Sequence, residues 1–389
     1  MLPTGEGPLL VFDTHPIQYR SPVFRGLYKK LPSLKVYYFN DRFDGKKWWF
    51  HEVDKIPPQT WNLPLREGFP NEVLESEKFG LLKFHRTIDC ILKKDKPSAI
   101  LIYGYYLREH WILLWAARRK HIPVLFVGET FSQGSSSSRK ILKRFLQPLF
   151  FSNVARFIAI GNKNIEFYTS LKIPTEKIQP ARYCIDTTFF ELTAAQASHS
   201  RQQTRLALNI PSNGVVILFI GRLFERKRPL DMVQLHETLA DDSNVHTVIV
   251  GNGPLEEELK KVSHPRFHVA GFKNQQQVRD LYYASDCLVV PSEFETWGLV
   301  VNEAFACGLP AIVTDTCGVA GDLVVHGETG FVYPVGQIHE LANHARKLVW
   351  DKHLGKEMGE KAHGKVISEY NVEQFVDAVV SATIGSRSK

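Results

Sequence analysis

No stretch of this 389-residue chain approaches the run of about 20 uncharged apolar residues that a membrane-crossing helix needs. Its N-terminus, MLPTGEGPLLVF, lacks the basic segment and small-residue cleavage site of a secretory signal, so a cytoplasmic location is expected. Cysteine is scarce. The five, Cys90, Cys184, Cys287, Cys307 and Cys317, are odd in number, scattered and without a Cys-x-x-Cys pair, which argues against a disulfide framework or a zinc site and for reduced core thiols. A dinucleotide fingerprint is also missing: VGNGP (250–254) supplies Gly251 and Gly253, but Glu256 stands where the third glycine would fall. There is no internal repeat, and the one low-complexity tract, SSSS at 135–138, reads as a loop.

What is present is an ordinary globular composition, 44% hydrophobic and 23% charged, long enough for about two domains. The net charge of +7 favours an anionic partner, without choosing among a nucleotide, a lipid surface and a nucleic acid. The most local basic signal is SRKILKRFLQPLFF (138–151). Ile141, Leu142, Phe145, Leu146 and Leu149 form an apolar helical stripe there, opposite Arg139, Lys140, Lys143 and Arg144. Such a helix can lie on an anionic membrane surface or pack on its own domain.

Apolar, β-branched runs alternate with helix-period segments, the pattern of parallel strands with helical crossovers. Strands are expected at 8–14, 34–40, 99–105, 123–129 and 156–161, and again at 214–222, 245–253, 267–272, 287–292 and 310–315. In the second half helices are expected near 229–240, 254–263, 274–284, 298–307 and 337–349. The polar segment 191–214 separates the halves. The fold class is therefore α/β, with two Rossmann-like doubly wound domains whose ligands sit beyond the carboxyl ends of the strands. The expected boundaries are 1–195 for the N-terminal domain, 196–213 for a linker, 214–365 for the C-terminal domain and 366–389 for a C-terminal helix returning to the N-terminal domain.

Three segments carry candidate chemistry. In GRLFERKRPLDMV (221–233) a strand ends at Gly221, and Arg222 and Lys227 follow just before a helix start at Pro229. Two cations beside free backbone amides suit a diphosphate, although a solvated basic turn has the same look. VGNGP, at another strand end, allows close backbone approach at Gly251 and Gly253 or is a plain tight turn. In PSEFETWGLVVNEAFACGLPAIV (291–313), Glu295 lies in an exit loop and Gly298, Leu299 and Val300 open a helix whose amides can bind phosphate. Glu303, on that mostly apolar helix, is costly to bury unless strong donors such as vicinal ribose hydroxyls reach it.

The two glutamates separated by seven residues, followed by EAFACGLPAIV, resemble the signature of retaining GT-B glycosyltransferases of family 4. GRL with Lys227, VGNGP, AGF (270–272) and GETGFVYP (327–334) occur in that family's order and spacing, and THPIQYRSPVFRGL (14–27) and WNLPLREGF (61–69) are similar to acceptor domains of bacterial polysaccharide-type members. The resemblance implies that Glu303 binds the ribose, Arg222 and Lys227 neutralise the diphosphate, Glu295 meets the donor sugar, and Gly221 and Phe272 line the donor site. It implies a retaining, metal-independent transfer from a UDP- or GDP-sugar to a glycan or lipid-linked glycan, with no cofactor and no nucleic acid. The chain departs from the family pattern where many members have a histidine at a strand end: here VGETF offers Glu129, a candidate for that sugar-orienting or base role or a structural loop carboxylate. His15 and Tyr19 are acceptor-side candidates, and Trp48 and Trp49 could stack on a sugar or meet a membrane interface. A nucleotide-sugar epimerase or hydrolase of the same fold, or a non-catalytic sugar-nucleotide-binding protein, are the alternatives.

Overall fold

The computed structural model describes residues 7–41, 63–129, 146–241 and 244–386. The chain divides into two compact units. The first unit comprises the N-terminal residues, Leu63–Tyr183 and the closing segment from Val372; the second comprises Cys184–Asn371.

In the first unit the strands are β1 (Leu9–Asp13), β2 (Lys35–Tyr38), β3 (Asn71–Val73), β4 (Ala99–Tyr103), β5 (Val124–Val127), β6 (Arg156–Ala159) and β7 (Ile178–Pro180). They pair in parallel in the order β3-β2-β1-β4-β5-β6-β7. Every residue of LLVFD and AILIY is buried, because helices cover both faces of a parallel sheet and the strands must be apolar throughout. Leu81–Asp95 buries Phe84, Ile88 and Leu92, a four-residue spacing that marks one helical face. The last helix, Val372–Gly385, packs on Ser21–Lys30, where Gly26 makes room: a Cβ there would lie 2.8 Å from Val376.

The second unit's strands are β8 (Val215–Ile220), β9 (Val245–Val250), β10 (Phe267–Val269), β11 (Cys287–Val290), β12 (Ala311–Thr314) and β13 (Gly330–Tyr333), all parallel in the order β10-β9-β8-β11-β12-β13. The stretch read from sequence as a linker, 196–213, is largely the helix Ala194–Ala207, opened by a Thr193/Gln196 capping box and packed on Gln275–Ala284. Arg205, only 3% exposed, fastens it by donating to the carbonyls of Ala284 and Gly214 and to Asp286, which also accepts from Arg201 and the Val216 amide. At the outer edge of this sheet sit two histidine pairs, His236 with His264 at 2.9 Å and His246 with His268 at 3.1 Å.

The strands β3, β7 and β13 go beyond the sequence expectation. The segment 366–389 is the end of one helix, Lys352–Glu369, followed by a second from Val372. No helix of the described residues is long and apolar enough to cross a membrane.

Candidate functional site

In each sheet the strand order reverses direction at one place, between β1 and β4 in the first and between β8 and β11 in the second. Loops leaving neighbouring strands there diverge and open a crevice at the carboxyl end. The candidate residues gather at these two places, one set in each unit.

In the second unit, Gly221 and Arg222 leave β8, and a short 3-10 turn, Glu225–Lys227, carries Lys227. Glu295 leaves β11. Lys227 donates directly to the Glu295 carboxylate, so the two loops are bridged across the point of reversal. Burial first, then Arg226 and Arg222, pull the Lys227 ammonium down to about 8, while Cys317 and the carboxylate contact favour the charged form. Arg222 is likewise pulled down by burial and Arg226. Three cations thus cluster in the loop after β8, and one of them, Lys227, holds the Glu295 carboxylate, an arrangement suited to a polyanion.

The helix Leu299–Ala306 starts at Gly298, whose φ of 110° an L-residue adopts only with strain. Trp297 Nε1 donates to Asn302 Oδ1 at 2.8 Å and ties the helix start to its first turn. Leu299 and Val300 form that turn, with their amides at the end facing the loop. Glu303 is 3% exposed and accepts from the Tyr282 hydroxyl at 2.8 Å, which offsets part of the cost of burying its charge.

Gly251 and Gly253 serve a different purpose from open backbone. A Cβ at Gly251 would stand 1.8 Å from the Gly221 carbonyl oxygen, and one at Gly253 2.6 Å from that of Leu223. The glycines let the loops after β8 and β9 seat against each other, with Leu223 N–H donating to Asn252 O and Leu255 N–H to Leu223 O. Phe272, after β10, is partly exposed.

In the first unit, Glu129 follows β5, and His15 and Tyr19 follow β1. Sequence reasoning passed over the residue that organises them, Arg20. It donates to the fully buried Asp13 at the end of β1, lies 3.7 Å from Glu129 and stacks over Tyr103 with 4.5 Å to the ring centre. Tyr183, after β7, donates to the same Glu129 oxygen as faces Arg20. His15 bonds Thr14 at 2.9 Å, and burial, with Arg20 adding to it, lowers its ring to about 4, so it is neutral at neutral pH. Arg20 stood inside the quoted THPIQYRSPVFRGL, where its charge next to an aspartate-ended strand was the available signal. Tyr282 and Tyr183 had none, because their partners are distant in sequence.

Among the described residues, no group of three or more His, Cys, Asp and Glu could hold a metal ion. Trp48, Trp49 and residues 138–145 of the basic helix lie outside the described residues. Within 146–151, Leu146 and Leu149 are 40% and 48% exposed while Gln147, Phe150 and Phe151 face inward, so the stripe residues there look outward.

Comparison with known proteins bears on the fold and the family. Over 98% of its length the chain overlays on Anabaena HepE, solved in complex with UDP and glucose, with a TM-score of 0.74 at 18% identity and 100% of that chain covered; this likeness shows the fold, α/β of the GT-B class. It is 30% identical over 338 residues to the N-acetyl-alpha-D-glucosaminyl L-malate synthase of Bacillus anthracis, covering 84% of this chain and 81% of that protein. It is 25% identical over 358 residues to an Escherichia coli UDP-Gal:alpha-D-GlcNAc-diphosphoundecaprenol alpha-1,3-galactosyltransferase, covering 84% and 90%. Residues 200–365, which hold Arg222, Lys227, Glu295 and Glu303, match the model for glycosyl transferases group 1, and with the likeness to the N-acetyl-alpha-D-glucosaminyl L-malate synthase over most of both chains this places the chain in that glycosyltransferase family.

Proposed function

We propose that the chain transfers a sugar from a UDP- or GDP-sugar to a hydroxyl of a glycan or lipid-linked glycan, with retention at the anomeric carbon and without a metal ion. The observation that carries the reading is the contact of Lys227, with Arg222 and Arg226 beside it, to Glu295 at the strand reversal of the second unit, in the unit that also holds the helix start at Gly298 and the buried Glu303. Departure of a nucleoside diphosphate builds negative charge, and fixed cations and amides stabilise it most in the transition state. Lys227 and Arg222 take the diphosphate in this reading, Glu303 the ribose hydroxyls, and Glu295 the hydroxyls of the sugar. Glu129, held by Arg20 and Tyr183, orients the sugar or the incoming hydroxyl.

Retention is supported by the resemblance of Glu295 and Glu303 to the paired glutamates of retaining members. A lipid-linked acceptor is supported by the printed substrate of the E. coli relative, and the outward-facing Leu146 and Leu149 support a peripheral site on an anionic membrane. The test is a thermal-shift panel of UDP, GDP, ADP and their sugar conjugates with and without EDTA, because a ligand that binds only the folded state raises the melting temperature. A shift with UDP or GDP that survives EDTA is expected, followed by an unchanged anomeric configuration in the product by NMR. A shift lost in EDTA would refute the metal-independent part, and an inverted product would refute retention.

A further inference from the structure

The ion pair of Lys227 and Glu295 joins two groups that the proposed function assigns to different parts of one substrate, the diphosphate and the sugar. Neither can serve its ligand fully while it holds the other. The side chains are 19% and 16% exposed, shielded enough that the pair is not a solvent-screened surface contact. The backbone on both sides is pinned. Glu293 N–H donates to the Arg226 carbonyl at 2.8 Å, Gly318 N–H to the Glu295 carbonyl at 2.9 Å, and Glu295 pairs with Cys317 as a parallel bridge. A change of partner is therefore left to rotation of two flexible side chains, with the loops standing still.

We propose that this pair is a latch opened by the diphosphate of the sugar nucleotide, an inference that rests on the sugar-nucleotide reading of the site. A diphosphate carries more charge than one carboxylate and is also attracted by Arg222 and Arg226, so it displaces Glu295 from Lys227. Glu295, released, turns to the sugar hydroxyls. Gripping the sugar thus depends on the diphosphate being in place. Once the sugar has moved to the acceptor, Glu295 has lost its hydroxyl partners and competes again for Lys227, which hastens departure of the nucleoside diphosphate.

The test is calorimetry of UDP and GDP on the full-length wild type, Glu295→Gln, Lys227→Met and the double variant, with dissociation rates by stopped flow. Removing the competitor is expected to tighten binding of the nucleoside diphosphate by up to about fivefold and to slow its release by a similar factor. Lys227→Met weakens binding, and in that background Glu295→Gln has no further effect, because the latch has already lost one half. Equal or weaker affinity in a Glu295→Gln protein that melts like the wild type overturns the latch. So does tightening that persists in the Lys227→Met background, since that is simple relief of repulsion between Glu295 and phosphate. Glu295→Ala, which removes the carboxylate altogether, gives the same expected tightening if the glutamine variant fails to fold. If UDP affinity is unchanged in Glu295→Gln and only UDP-glucose weakens, the latch fails and the sugar contact stands. If neither nucleotide binds any variant, the sugar-nucleotide reading falls and the latch with it.

Discussion

Glu303→Gln gives the sharpest reading of the ribose role. The carboxylate is 3% exposed and receives the Tyr282 hydroxyl at 2.8 Å, so its position is set before any ligand arrives. Glutamine keeps the shape and one carbonyl acceptor for Tyr282, but it removes the charge and replaces one acceptor oxygen with a donor. A hydrogen bond to a charged group is worth about 1.5–3 kcal/mol. Losing one such bond to a ribose hydroxyl weakens UDP and UMP binding by roughly 10- to 150-fold. Because ribose is held equally in ground and transition states, turnover at saturating donor stays within a few-fold of wild type. Calorimetry with UDP and UMP reads the first effect and steady-state kinetics the second, with thermal melts to verify folding. Glu303→Ala is the poorer variant, since it also removes the carboxylate to which the buried Tyr282 hydroxyl donates and so mixes a packing loss with the ribose effect. A Glu303→Gln protein that melts normally and binds UDP within two-fold of wild type would refute the ribose contact.

Lys227→Met is expected to lower kcat/KM by about 10²–10³-fold, the usual loss when a preorganised transition-state charge is removed, and near-normal kinetics would take Lys227 out of the site. Because burial lowers Lys227 to about 8, the free enzyme loses that charge as pH rises, so kcat/KM should decline above about pH 8 and Lys227→Arg should abolish the decline. Glu129→Ala should reduce turnover while leaving UDP affinity, measured calorimetrically, unchanged, because Glu129 and the residues proposed for the nucleotide belong to different units. Breaking the Arg205 clamp with Arg205→Ala leaves Asp286 and the carbonyls of Ala284, Ser212 and Gly214 without that donor and should cost about 3–5 kcal/mol in urea unfolding, against a small effect for an exposed arginine such as Arg86. His236 and His246 are lowered to about 4, by burial first and then by neighbouring histidines and Arg266. Between about pH 6.5 and 4 the unfolded chain binds more protons at these rings than the folded one, so stability should fall as pH falls across that window. Unfolding series at pH 7 and 5 on wild type and the His236→Phe/His246→Phe double variant measure this, and an unaltered pH slope in the variant would exclude these rings as a source.

The central strands were legible because burial on both faces demands unbroken apolar runs, as in AILIY and VVILFI. Asn71–Val73 and Ile178–Pro180 carry no such demand. Each is three residues long at a sheet edge, and its identity comes from the strand it joins. The helix Ala194–Ala207 was masked by polarity, since it covers one flank with a single buried arginine in place of an apolar stripe. At the site, residue types were readable while pairings were not. Lys227 and Glu295 are 68 residues apart, and Tyr282 and Glu303 are 21 apart on different helices, so only the strand order brings them together. Arg20 was near enough to Asp13 to be seen, yet a lone arginine after a strand has no pattern of its own.

The seating of Gly251 and Gly253 against the carbonyls of Gly221 and Leu223 bears on how this chain is to be compared with diverged copies of itself. Those glycines answer to the fold, so a duplicate that had stopped transferring sugar would still keep them. Lys227 and Glu295 answer to something else: shielded charges in loops contribute little to holding the sheet, and drift would erase them early. In a set of such descendants, the glycines trace ancestry and the ion pair traces activity.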